Sequence, residues 1–225
     1  MHSINTQFNT VDEAIVAMQK GEFVIVVDNL DRENEGDLII AADQITADKM
    51  AFLVRHSTGI VCVAMEAERL EQLDLPLMVT KNTDPNKTAF TISVDYTHRT
   101  TTGVSAQDRS LTLQALANPK TSAKDFHSPG HIFPLKANKK GVLGRQGHTE
   151  AAIDLCRLAH RYPAGVLCEI VNEDGSMARR DDLFLFAEKH QLKMITIADL
   201  LAFRRNQLNE IITLRSNGDN LAAQL

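Results

Sequence analysis

Residues 22–43, EFVIVVDNLDRENEGDLIIAAD, place two unbroken apolar runs on either side of a stretch in which Asp31, Arg32, Glu33, Glu35 and Asp37 crowd together. Apolar runs this short and rich in Val and Ile read as strands buried on both faces, and the polar residues between them as the loop that joins them. Two such strands need a layer of helices on each side. The rest of the chain supplies them. TVDEAIVAMQKG (10–21) predicts a helix with a Thr10/Glu13 capping box, an apolar face of Val11, Ala14, Ile15 and Met18, and Gly21 as its stop. TADKMAFLVRHS (46–57) predicts a second helix and GIVCVAM (59–65) a third buried strand. AFTISVDY (89–96) alternates like a half-exposed strand, and Ser105 with Asp108 predicts a capping box at the start of a helix within 100–117. A glycine-rich loop precedes a helix with Ala151, Ala152, Leu155, Cys156 and Ala159 on its inner face; AGVLCEIV (164–171) and KMITI (193–197) are late strands, and 181–190 and 199–212 late helices. The fold class expected is α+β, of a three-layer α/β/α type: a mixed sheet with helices on both faces. Residues 1–215 form one domain in this reading, and 216–225 a frayed tail.

Composition narrows the function classes. A net charge of −5 over 225 residues, with no Trp and no basic stripe, argues against a nucleic-acid partner. No segment reaches the roughly 18 uninterrupted apolar residues of a membrane span, and the start, MHSINTQFNT, lacks the basic and apolar regions of a signal peptide. A cytoplasmic protein is expected. Cys62, Cys156 and Cys168 each sit in an apolar stretch without CxxC spacing, as reduced buried thiols do. Cys62 can be a small core residue or a pocket wall.

Crowded carboxylates repel unless a cation neutralises them. The loop 31–37 is therefore either a solvated charged surface or a platform for a divalent metal, and it is longer than a tight hairpin needs. GRQGHTEAA (144–152) brings Arg145, His148 and Thr149 to a helix start, where unpaired N–H groups suit a phosphate, although a plain capped loop reads equally well. RTTTGVSAQDR (99–109) repeats that design with more hydroxyls than capping requires. In HSPGHIFPL (127–135), prolines and a glycine pin the chain around His131, which suits an acid or base, or a half-buried core histidine. Glu169 is the one charge within GVLCEIV, so it either faces the wet side of an edge strand or is a buried carboxylate with a tunable pKa.

These stretches, together with RHSTGIVC (55–62), LDLPLMV (73–79) and AGVLCEIVNEDGSMAR (164–179), closely resemble the 3,4-dihydroxy-2-butanone 4-phosphate synthases of the riboflavin pathway, in family order from about residue 10 to 205. The resemblance is to the free-standing form, without a following GTP cyclohydrolase II domain. It implies a lyase that converts D-ribulose 5-phosphate to L-3,4-dihydroxy-2-butanone 4-phosphate and formate with Mg2+ or Mn2+ and no organic cofactor. It further implies a homodimer with active sites near the subunit interface. Carried over residue by residue, it makes Glu33 and His148 metal ligands and His131, Glu169 and Asp37 catalytic. Arg32, Glu33, Asp37, Thr102, Arg145, Gln146, Gly147, His148, Thr149 and Glu169 would contact the sugar phosphate. The chain departs from the family pattern at Asn29, Ser128 and Gln146, and at Asn86 and Lys87 in a loop. The changes at Asn29, Ser128 and Gln146 keep open a second reading, a weakly active paralogue that binds the phosphosugar as a sensor or scaffold.

Overall fold

In the computed structural model, which describes residues 7–222 and side chains up to residue 210, seven strands form one mixed sheet. They are β1 (Val24–Val27), β2 (Gly36–Ala41), β3 (Cys62–Met65), β4 (Val94–Tyr96), β5 (Phe126–Lys136), β6 (Ala164–Glu169) and β7 (Lys193–Thr196), in the spatial order β4-β5-β3-β6-β2-β1-β7. β1 and β2 are antiparallel neighbours, as are β2 and β6, β3 and β6, and β4 and β5, whereas β1/β7 and β3/β5 run parallel. The apolar runs flanking the acidic loop thus lie inside the sheet, and every residue of β1 and β2 is buried.

Alternation divides those strands between two cores. Ile25, Val27, Leu38, Ile40, Val63 and Val166 face one side, where they meet residues of α2 (Ala47–His56), α4 (Ala106–Leu116) and α6 (Arg180–His190). Val24, Val26, Ile39, Ala41, Ala64 and Leu167 face the other, packed by α1 (Val11–Gln19), α5 (His148–Leu158) and α7 (Ile197–Ala222). Side chains with period two and helices on both sides give the three-layer α+β arrangement expected from the sequence. A short helix, α3 (Ala67–Gln72), follows β3. No described helix is long and apolar enough to cross a membrane.

Several local expectations hold. Thr10 Oγ1 accepts from Glu13 N at 3.2 Å and the Glu13 carboxylate accepts from Thr10 N at 2.9 Å, closing the capping box of α1, and Gly21 follows at φ +73°. Others are corrected. Ser105 caps α4, but the Asp108 carboxylate turns away and accepts from Thr101 Oγ1 (2.7 Å) and Gly103 N (3.1 Å), so the reciprocal half of the box is missing. Of AFTISVDY only Val94–Tyr96 is strand, because Pro134 has no N–H for a continuous ladder; Thr91 instead donates its N–H and hydroxyl to the Pro134 carbonyl, each at 2.9 Å. Residues 127–135, which the sequence left without an element, belong to the 11-residue strand β5. Gly130 is required there, since a Cβ would lie 2.1 Å from the Val94 carbonyl carbon where β4 crosses it. The backbone of residues 216–222, within the tail expected over 216–225, is assigned to α7, and 223–225 lie outside the described residues.

Candidate active site at the carboxyl end of β6

Asp37 at the start of β2 and Glu169 at the end of β6 are direct cross-strand partners, and they open onto the same sheet face as Leu167 and Cys62. Helix α5 begins above that face. Its N-cap is Gly147, and the first two helical residues, His148 and Thr149, are buried at its mouth. The preceding turn is anchored from below: the wholly buried Asp154 carboxylate accepts from Val142 N at 3.0 Å and pairs with Arg157 and Arg204. These elements enclose a cleft lined by Arg32, Glu33, Glu35, Asp37, Arg145, His148, Thr149 and Glu169, with Thr58 and Thr88 nearby and Cys62, Phe90, Leu135 and Leu167 as its apolar wall.

The acidic loop is internally organised by Asp28, 2% exposed, a residue the sequence reading left without a role. Its two carboxylate oxygens accept from Glu33 N and Glu35 N, both at 2.9 Å, and Arg32 Nη1 donates to it at 3.0 Å. Glu33 is also held by Asn86, whose side-chain amide donates to Oε1 at 2.7 Å. The other Glu33 oxygen contacts Arg32 and lies 3.5 Å from His148 Nδ1; His148 Nε2 lies 3.7 Å from Asp37 Oδ1. Asp28, Glu33 and His148 each offer a ligand atom within 4.8 Å of the others.

Electrostatics follow from this crowding. The His148 contact, opposed by burial and assisted by Arg32, holds Glu33 down at about 2. Burial pushes Asp37 up to about 7, with Glu169, Glu33 and Glu35 adding to it against the pull of His148. Burial disfavours charge on His148 as well, but Asp37, Glu33 and Asp28 outweigh it and raise its pKa to about 9. Glu35 is raised by burial, Glu33 and Glu169. His148 Nε2 and Asp37 Oδ1 are both buried without a hydrogen-bond partner. Two orphaned polar atoms facing one another beside carboxylates form a donor set that suits a hard divalent cation, which would replace the proton on His148.

Among the residues expected in the site, Arg32, Glu33, Asp37, Arg145, His148, Thr149 and Glu169 line the cleft, and Gly147 caps the helix that closes it. Both terminal nitrogens of Arg145 are engaged, Nη1 with Glu150 at 2.6 Å and Nη2 with the Asn86 carbonyl at 2.9 Å. Glu169 accepts from Thr58 Oγ1 at 2.7 Å and lies on a central strand, which removes the edge-strand reading. Gln146 and Thr102 are exposed and line no part of the cleft. His131 is also outside it: its Nδ1 lies 2.6 Å from Asp95 Oδ2 and its N–H donates to Asp95 Oδ1 at 2.9 Å, on the β4–β5 ribbon with 46% of the side chain exposed. Asn29 and Ser128, two departures from the family pattern, are likewise exposed and line no part of the cleft.

Comparison with known proteins matches the family model for 3,4-dihydroxy-2-butanone 4-phosphate synthase over residues 12–203. The chain belongs to that family. A 3,4-dihydroxy-2-butanone 4-phosphate synthase of Agrobacterium fabrum is 56% identical over 200 residues, 89% of this chain and 94% of the relative. The riboflavin biosynthesis protein RibBA of Aquifex aeolicus is 54% identical over 200 residues, but the match spans only 49% of that longer protein. A crystal structure of a 3,4-dihydroxy-2-butanone 4-phosphate synthase in complex with two magnesium ions superposes with a TM-score of 0.85 at 47% identity, covering 87% of this chain and 96% of the other. The family is one of lyases in riboflavin biosynthesis, and the seven-stranded mixed sheet is its fold.

Proposed function

We propose that this chain converts D-ribulose 5-phosphate to L-3,4-dihydroxy-2-butanone 4-phosphate and formate, using Mg2+ or Mn2+ and no organic cofactor, as a cytoplasmic homodimer. The observation that carries the reading is the meeting of Asp28, Glu33 and His148 beside the orphaned Asp37 oxygen, in a cleft also lined by Arg32 and Glu169.

Glu33 and His148 would hold the cation, which supplies Lewis-acid stabilisation to neighbouring substrate oxygens. The chain's own groups do the rest. The reaction must take a proton from the carbon beside a ketone, expel a hydroxyl, migrate the carbon skeleton and release C4 as formate. Asp37, raised to about 7, is balanced between acceptor and donor near neutral pH and can serve either proton transfer. Glu169, oriented by Thr58, faces the same space from the adjacent strand. The unpaired N–H groups at the start of α5, with Thr149 beside them, suit the 5-phosphate, and Arg145, braced by Glu150, adds positive charge. Leu167, Phe90 and Leu135 limit water on one side of the cleft.

A dimer gives the Asp95–His131 pair a place in this chemistry. The pair lies outside the single-chain cleft, fixed in orientation yet open to solvent, as expected of a group presented to a second copy. Exposed Leu77, Met78 and Val79, close to the cleft residues Thr88 and Phe90, support an apolar contact between copies. The sensor reading gains no support: Asn29, Ser128 and Gln146 line no part of the cleft, and Asn86, a further departure, braces Glu33 and Arg145 there. Replacing Glu33 tests the proposal: Glu33→Gln should abolish formate release while circular dichroism stays native. Undiminished turnover would refute the metal role of Glu33.

A further inference from the structure

The acidic loop is gripped from two sides. Asp28 takes its amide groups, as described above, and the Asp28 N–H reaches the Glu35 carbonyl at 3.3 Å. Two of its carbonyls are taken by a residue far along the chain: Arg179 Nη1 donates to Glu33 O at 2.8 Å and to Asn34 O at 2.6 Å. Its guanidinium also stands 3.9 Å from Glu35 Oε1. Between those carbonyls the backbone passes through Asn34 at φ +53°, a left-handed conformation that needs such fixing.

Arg179 is itself well held. It is the N-cap of α6, its N–H donates to Asp182 Oδ2 at 2.9 Å, and the residue before it, Ala178, hydrogen-bonds to Ile170 O at 3.1 Å. Ile170 directly follows Glu169. Further along α6, Leu183 packs so closely on Gly36 that a Cβ there would lie 2.5 Å from Leu183 Cδ1. The loop carrying Glu33 and the strand carrying Glu169 are therefore tied to one framework through the start of α6.

We propose that Arg179 is a positioning residue for the metal site: by holding the carbonyls of Glu33 and Asn34 it fixes the loop so that the Glu33 carboxylate meets His148. The inference rests on the metal reading of the site. Arg179 lines no part of the cleft and its side chain is 48% exposed, so its removal lets water reach the two carbonyls, and the only ion pair lost among the described residues is the long contact to Glu35. What is lost is the geometry of the ligand, an effect that outer-shell partners of metal ligands exert at about 10–100-fold in affinity.

The test is a Mn2+ titration followed by electron paramagnetic resonance, with thermal unfolding in EDTA run in parallel on the wild type, Arg179→Ala and Arg179→Lys. Arg179→Ala should bind Mn2+ at least tenfold more weakly while the EDTA melting temperature moves by less than about 2 °C. Arg179→Lys, which can still offer N–H donors to both carbonyls, should recover part of the affinity. If the wild type binds Mn2+ and both variants bind within twofold of it, the positioning role is overturned and the metal reading stands. If the wild type binds no Mn2+, the metal reading falls and this inference with it.

Discussion

Replacing Asp28 by alanine should destabilise the metal-free protein by about 3 kcal/mol. The Asp28 carboxylate is buried and accepts from two backbone N–H groups of the acidic loop, at 2.9 Å each. Each buried N–H left without an acceptor costs about 1–3 kcal/mol, and entry of water into the vacated space favours the lower part of that range. Arg32 loses one carboxylate but keeps Glu33, so no unpaired cation is added to the cost. For a chain of this length, a loss of about 3 kcal/mol lowers the melting temperature by about 6–12 °C. Asp28→Asn should fall between: one amide oxygen still satisfies one N–H, while the amide nitrogen faces the other. Calorimetry in EDTA at neutral pH measures both variants. A melting temperature for Asp28→Ala within 1 °C of the wild type would refute the claim that this carboxylate organises the loop.

Further outcomes follow from the same geometry. Glu33 sits near 2, below its ordinary 4.5, so its contribution to stability is complete above pH 4.5 and is lost as the pH falls toward 2. In EDTA, Glu33→Gln should flatten the acid limb of the stability curve over that window, and a parallel curve would contradict the assigned contact with His148. Gly103 lies at φ +87° with its Cβ position 2.0 Å from Asp95 Oδ2 and 2.9 Å from His131 Nδ1. Gly103→Ala should slow formate release at least tenfold while Mn2+ affinity stays within twofold, and an unchanged rate would remove the Asp95–His131 pair from the chemistry. Burial raises the Cys156 thiol and pushes Cys168 up to about 11, so both should resist an aromatic disulfide reagent at pH 8 until denaturant is added. Rapid labelling of either in the native protein would show that its strand or helix opens.

The centre of the fold was legible because its physics is local. Two short runs rich in Val and Ile around a charged loop read as buried strands by their length and β-branching, and Thr10 with Glu13, or the small residues of α5, announce their helices. β5 escaped because Pro129, Pro134 and the histidines mask a strand whose outer half pairs with the edge strand β4. Ser105 and Asp108 carry the spacing of a capping box, but Asp108 has a stronger use in holding Thr101 and Gly103, which spacing does not reveal. In the site, Glu33 and Asp37 stood out in a crowded acidic loop, His148 at a helix start behind a glycine-rich turn, and Glu169 as the one charge within an apolar run. Arg179 lies 145 positions from Asn34, and Asn86 lies 53 from Glu33, so no sequence pattern connects them. His131 was grouped with Glu169 by resemblance, whereas the single chain pairs it with Asp95.

The central claim is that this cleft cuts C4 from ribulose 5-phosphate as formate in a metal-dependent reaction. Ribulose 5-phosphate labelled with carbon-13 at C4, incubated with the protein and followed by carbon-13 NMR with Mg2+ and with EDTA, tests it directly. The account predicts labelled formate with Mg2+ and none with EDTA. Intact substrate under both conditions, or label retained in the phosphorylated product, would contradict it.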